Sequence, residues 1–161
     1  MLDRLTPYLG TYRTTVSEPG EGVCPTGVAT RFHEELTLER VDDWIRYRQH
    51  AVDLATGKVL HDEAGAIRAA PGGGFEVALA MNSGRLEHGR VTWEDAGPPT
   101  LRTDSVDFYH DRLGVLGTRR WFRFAADRCD KELWLAATAW PELRRHMWAH
   151  LHRIGQASPS Q

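Results

Sequence analysis

The chain has 161 residues, of which 41% are hydrophobic and 26% charged, with a formal net charge of −2. Those are ordinary values for one globular domain, so they exclude a disordered or collagen-like chain, and a domain of that length buries roughly 70% of its unfolded surface, enough to form a core or enclose a pocket. The near-neutral balance provides no basic footprint for nucleic acid or an anionic membrane, and no run of about 18 apolar residues is present to span a bilayer, so neither partner is expected.

In chain order, MLDRLTPYLG lacks the apolar run of a signal peptide, which makes a cytoplasmic protein the expectation, and residues 2–9 predict a short helical turn. TRFHEELTLERV (30–41) repeats Phe32, Leu36 and Leu38 at even positions. DWIRYRQHAVDL (43–54) sets Trp44, Arg46 and Arg48 against Ile45, Tyr47 and Gln49, again with the period of a strand. DLATGK (53–58), APGGGFEV (70–77) and MNSGRLEHG (81–89) read as reversals, because their glycines supply positive φ. RVTWED leads into the loop AGPPT (96–100), and TLRTDSVDFY (100–109), TRRWFRFAAD (118–127) and KELWLAATA (131–139) read as further strands. GQASPSQ (155–161) is a polar tail after a single domain spanning 1–154. Turn chemistry at intervals of about 8–12 residues, without long helices between, predicts an all-β, antiparallel, up-and-down barrel. Ten strands fit the chain, and a barrel of that size holds a small ligand as well as its own side chains. Cys24 and Cys129 are too few and too far apart for a disulfide framework, so both are expected as free thiols.

RRHMWAHLHR (144–153) carries three histidines in seven positions. Trp140, Leu143, Met147, Leu151 and Ile154 recur at helical spacing after Pro141 and Glu142, which reads as a terminal amphipathic helix. On a helix His146 and His150 share a face at the spacing used by zinc sites, without the third ligand or glutamate of an H-E-x-x-H pattern. On a strand His146, Trp148, His150 and His152 share a face instead. Solvated histidines, a metal site and a cofactor ligand all remain open on the residues alone.

The order of motifs resembles the nitrobindin family of haem-binding β-barrels, whose shape is that of fatty-acid-binding proteins and lipocalins. LGTYRTTV carries Gly10, Thr11 and Tyr12 of an N-terminal glycine signature; Pro25-Thr26 and then Phe32, Glu34 and Glu35 follow. LHDEAGAIRAAPGGGFEVALAMNSGRLEHG (60–89) matches at His61, Glu63, Gly65, Arg68 and Ser83-Gly84, and Pro141 with HMWAHLHR matches the family's closing histidine motif. Tyr12, Thr14 and Val16 stand where the signature has tryptophan and two glycines, the loop to Pro25 is longer, and Leu113 lies near the position of a pocket lysine. The resemblance implies that residues 141–153 form the last barrel strand and that haem b is bound with His146 as axial iron ligand. It further implies nitric oxide binding and isomerisation of peroxynitrite to nitrate by ferric haem, with the iron supplying the catalysis. Thr11, Tyr12, Thr26 and Trp148 are the expected cavity residues, and a homodimer is expected if a haem edge is exposed. The alternative is a haem-free carrier of a fatty acid or other apolar small molecule, which needs a buried arginine or tyrosine pair aimed at a carboxylate.

Other residues read more plainly. His61 and Glu63 share a strand face and suit a structural hydrogen bond, Arg119 and Arg120 in TRRWF suit a solvated strand, and His110 suits a loop.

Overall fold

The computed structural model describes residues 2–24, 26–94, 97–109 and 114–154. Helix α1 (Leu2–Leu5) and a 3-10 turn (Thr6–Tyr8) precede eleven strands. These are β1 (Gly10–Arg13), β2 (Gly20–Val23), β3 (Ala29–Val41), β4 (Trp44–Asp53), β5 (Val59–Ala69), β6 (Phe75–Met81), β7 (Leu86–Glu94), β8 (Thr100–Tyr109), β9 (Val115–Phe124), β10 (Arg128–Ala137) and β11 (Trp140–Ile154). From β3 to β11 each strand pairs antiparallel with the next, as short hairpin connections require. Both β1 and β2 pair with β3 on one side and β11 on the other, so together they form one stave broken by residues 14–19. The result is a closed ten-stave barrel with one extra strand, as expected from the spacing. Among the described residues, every strand of the closed barrel has a paired neighbour on each side.

Alternation is what divides inside from outside. Leu36 and Leu38 of β3, Ile45, Tyr47 and Gln49 of β4, and Phe122 and Phe124 of β9 are buried, while their neighbours in sequence are more exposed. The expected turns also form: Asp53 Oδ1 accepts hydrogen bonds from Ala55 N and Thr56 N before Gly57 at φ 69°, which fixes the β4–β5 reversal. One end of the barrel is stoppered by the N-terminal segment. Leu5 is fully buried there, Tyr8 stacks on Phe124 at 5.0 Å, and Tyr12 donates its hydroxyl to Tyr8 O at 2.7 Å.

Residues 140–154 are strand, so the helical reading of that segment is overturned. Paired strands flank β11 on both sides, and two breaks of its register with β10 shift the apolar phase into a helix-like spacing. His110, Leu113, Pro25 and the tail 155–161 lie outside the described residues.

Gly65 is where two strands come closest: a Cβ there would lie 1.9 Å from Ala78 O and 2.8 Å from Leu79 Cδ2. The obstacle is backbone and cannot rotate away. Gly65→Ala is therefore expected to cost about 1–3 kcal/mol, as overpacking does, read as a lower denaturant midpoint with an unchanged m-value.

Candidate functional site

The barrel interior has three levels. Next to the stopper lies an aromatic and aliphatic core. The middle holds charges: Arg120, Lys131, Glu34, Glu63 and Glu87 are each no more than 3% exposed. Lys131 Nζ donates to Glu34 Oε1 at 2.6 Å, Arg120 Nη1 to Glu87 Oε1 at 2.5 Å, and Arg120 Nη2 to both Glu63 oxygens at 3.3 Å. Burial pushes the Glu63 carboxyl up, but Arg120 and His61 overcome it and hold the group well below the usual carboxylate range. Burial would likewise lower Arg120, yet Glu63 and Glu87 carry it above its ordinary value. Tyr47 completes this level, donating to Gln49 Oε1 at 2.5 Å.

Beyond the charges, at the end opposite the stopper, lies a cavity of about 550 Å³. Its wall is mainly aliphatic, from Leu60, Met81, Val115, Leu133, Leu135 and Ala137, and its polar groups include Cys24, Thr26, Arg85, His61 and His146. A more open hollow of about 640 Å³ on the outer face of β4–β7 is lined by Ala64, Ala66, Ala78 and Ala80 together with Arg46, Arg48 and His88.

His146 enters the cavity through a defect in the sheet. Leu133 pairs with Met147 and Trp134 with Arg145, so His146 is an extra residue without a partner on β10. Such a β-bulge turns the backbone and re-aims a side chain. Met147, Ala149 and Leu151 face inward, and strict alternation would send His146 outward with Trp148, His150 and His152. The bulge reverses that for His146 alone. Its Nδ1–H donates to Val23 O at 2.7 Å, which fixes the tautomer and leaves the Nε2 lone pair free. Burial lowers its pKa, against the pull of the Val23 carbonyl, so the ring is neutral at pH 7.

A second bulge serves His61. Ala51 pairs with His61 and Val52 with Val59, so Leu60 is the extra residue, and both Leu60 and His61 line the cavity. His61 Nδ1–H donates to Glu63 Oε1 at 3.2 Å within the same strand, and its ring centre stands 6.1 Å from that of His146.

Of the expected cavity residues, Thr26 lies on the wall with His146. Three others do not. Thr11 faces Thr37 at 3.2 Å near the stoppered end, Tyr12 is core against Phe124, and Trp148 lies outside under the Arg145 guanidinium at 4.2 Å. Thr11 and Tyr12 sit at the wrong end of the barrel, and Trp148 follows the alternation that the bulge suspends only for His146. The zinc pairing of His146 with His150 also fails. His150 is outside, bonded to Asp130 at 2.6 Å, and His152 is outside, bonded to Glu18 at 2.7 Å. Arg120 is buried rather than solvated, whereas Arg119 does face outward, bonded to Asp104. Val16 is 86% exposed in the loop that breaks the first stave, so its departure from the glycine signature does not reach the cavity. The close approaches fall instead at Gly20, packed under Phe32, and Gly22, where a Cβ would stand 3.0 Å from His146 O.

A carboxylate carrier needs a free buried cation. Arg120 and Tyr47 have the right identity, but Glu63 and Glu87 already neutralise the arginine. A fatty-acid headgroup at that level adds a third carboxylate around one guanidinium, a net burial of charge.

Comparison with known proteins agrees with the barrel fold. The family described as the THAP4-like, heme-binding beta-barrel domain matches residues 1–153. A protein named peroxynitrite isomerase 2 from Mycobacterium avium and one named peroxynitrite isomerase 1 from Mycolicibacterium paratuberculosis are each 31% identical over 156 residues, covering 94% of both chains. The crystal structure of Rv2717c from M. tuberculosis superposes with a TM-score of 0.78 at 26% identity, covering 96% of this chain and 97% of that one.

Two measurements check the electrostatics. Arg120→Met leaves two carboxylates buried without their cation and is expected to cost about 3–5 kcal/mol. In the native chain Glu63 is depressed, so its stabilisation is present above the ordinary carboxyl value of 4.5 and is lost as pH falls below it. In the variant the largest favourable cause of that depression is gone while His61 and Lys131 still act, so the contribution lost on acidification is smaller. Denaturant titrations should therefore fall less steeply below pH 4.5 in the variant than in the native chain. NMR of the imidazole should place the His146 titration below 6.5, and because the unfolded state takes up that proton first, His146 erodes stability as pH falls below 6.5.

Proposed function

This chain belongs to the THAP4-like, haem-binding β-barrel family, and on that premise we propose that it is a haem-dependent peroxynitrite isomerase with His146 as the axial iron ligand. The observation that carries the assignment is a neutral imidazole whose Nδ1 is anchored on Val23 O and whose free Nε2 belongs to a largely aliphatic cavity. The donor set fits the cofactor. Haem ligation by histidine needs an unprotonated ring nitrogen held in orientation by a second group, and an apolar enclosure around the macrocycle. The depressed pKa of His146 reduces competition by protons for the ligating nitrogen.

When bound, ferric haem supplies the site at which peroxynitrite rearranges to nitrate, the activity in the names of the two mycobacterial relatives. The chain's own residues do the rest. The Val23 carbonyl holds the His146 ring, and Leu60, Met81, Val115, Leu133 and Leu135 would exclude water from an apolar guest in the cavity. Arg85, the arginine lining the cavity among the described residues, stands 3.7 Å from Glu87 and presents a guanidinium suited to the carboxylate edge of a haem or to an anionic substrate. Arg85, Arg120 and Lys131 together match in number the three buried carboxylates Glu34, Glu63 and Glu87. A net charge of −2 supports the absence of nucleic-acid and anionic-membrane partners. Among the described residues no helix is long and apolar enough to cross a membrane.

Hemin titrated into the purified chain should give a sharp Soret band at one equivalent. The band should vanish in His146→Ala and survive in His152→Ala, and only loaded protein should speed peroxynitrite decay to nitrate in stopped flow. Size-exclusion chromatography of the same samples reads out whether a homodimer forms with haem. A Soret band indifferent to His146→Ala overturns the ligand assignment.

A further inference from the structure

The barrel wall is split between β8 and β9 at the height of the cavity. Among the described residues their ladder runs from the pair Thr100 and Arg123 to the pair Asp104 and Arg119 and ends there. Beyond that point each strand pairs with its outer neighbour, residues 107–109 with β7 and Val115 and Gly117 with β10. Both lips of this seam carry a bulge. Gly89 pairs with Ser105 and His88 with Asp107, so Val106 is an extra residue on β8. Ala136 pairs with Gly117 and Ala137 with Val115, so Leu116 is an extra residue on β9. A bulge bends its strand and interrupts its ladder, and here the two facing strands are both bent.

Ser105 makes the last tie across the seam. Its Oγ accepts from Thr118 N at 2.8 Å and donates to Thr118 O at 3.2 Å, taking both backbone groups that a ladder would use. Thr118 Oγ1 in turn donates to Glu87 Oε1 at 2.5 Å, so the tie stands on the charged floor. From there the seam runs toward the open end beside the cavity, whose wall includes Val115 of β9 and Arg85, with its guanidinium over the Phe108 ring of β8 at 5.5 Å. The two bulged residues, Val106 on one lip and Leu116 on the other, are 50% and 56% exposed, and Tyr109 is exposed as well. Large apolar side chains left outside along the border of a cavity mark a place where an apolar partner is met.

We propose that the seam between β8 and β9 above Ser105 is the portal through which the flat apolar cofactor passes sideways into the cavity. This rests on the haem reading and adds the route of loading to it. A planar guest is admitted by a slot, and the seam extends the open end of the barrel into one. Elsewhere, as between β3 and β4, parting the wall breaks an uninterrupted ladder. Along the seam the described residues of β8 and β9 share no ladder, so local opening costs least there. Loading and release share one path. Closing the seam therefore slows both and leaves the affinity nearly unchanged, which a merely structural role would not do.

The test combines Val106→Cys with Leu116→Cys in a Cys24→Ser background, so that oxidation joins the lips and reduction frees them. Uptake is followed as growth of the Soret band when hemin is mixed with the haem-free chain in stopped flow, and release as transfer of haem to excess apomyoglobin. Oxidation should slow both rates by about tenfold, as where binding waits on a local opening, and reduction should restore them. Ser105→Ala, which removes the last tie, should speed both rates with the Soret position unchanged. Rates indifferent to the disulfide and to Ser105→Ala, or a change in affinity with only one rate altered, overturn the portal and leave His146 ligation standing. If the cysteines do not join, Ser105→Ala decides by the same criterion. Absence of a Soret band in every form, the wild type included, overturns the haem reading itself.

Discussion

The ion group around Arg120 determines how the rest of the barrel is used. A ten-stave barrel encloses more space than aliphatic side chains conveniently fill, and here the surplus is divided. One end is packed solid with aromatics beneath the N-terminal stopper. The middle is occupied by Arg120, Glu63, Glu87, Lys131 and Glu34, whose charges offset one another in close pairs. Only the far end stays hollow. Because the middle is closely ion-paired and hydrogen-bonded, with Arg85 at 3.7 Å from Glu87 as the third cation against three carboxylates, it is a floor and not a binding site, and the cavity above it takes its character from aliphatic residues and two imidazoles. The same group reaches the cavity through one contact, since Glu63 accepts from both Arg120 and His61. Damage to the floor therefore propagates to the orientation of His61.

Irregularities of the sheet supply what regular pairing cannot. A perfect strand offers a cavity every second residue and no more. The bulges at Leu60 and His146 bring consecutive residues to the same side, Leu60 with His61 and His146 with Met147. Further register breaks in β10 lie between Leu135 and Ala137, beside the same mouth. Several of the distortions lie at the open end, where inward chemistry is needed, another lies between His88 and Gly89 of β7, and none interrupts the pairing of β3 with β4 or of β5 with β6. The broken first stave belongs to the same pattern: residues 14–19 leave the sheet, and β2 returns to it to present the Val23 carbonyl to His146.

How much of this was legible follows from the range over which each signal acts. Strand alternation in 30–41 and 43–54, the glycine turns and the absence of long helical segments are local properties, and they led directly to an antiparallel barrel. His146 and Thr26 could be named by resemblance, because an ordered string of motifs survives changes between them. Thr14 and Val16, the altered glycine positions of the signature, fall in residues 14–19 between β1 and β2, and the close backbone contacts lie at Gly20 and Gly22 instead. Arg120 looked solvated because an arginine in an alternating strand carries no mark of which face it takes. Its two carboxylate partners lie 57 and 33 residues away.

The sequence by itself determined the all-β class, the approximate strand count, the turns and the family, because hydrophobic period and turn chemistry are written into neighbouring residues. The tertiary structure alone decided which histidines look inward. By period, His146 belongs with Trp148, His150 and His152, and a single unpaired residue in the register with β10 separates it from them. Register is a relation between two strands, and no property of one strand encodes it. For the same reason the proximity of His61 to His146 appears only when β5 and β11, some eighty residues apart in the chain, face each other across a closed barrel.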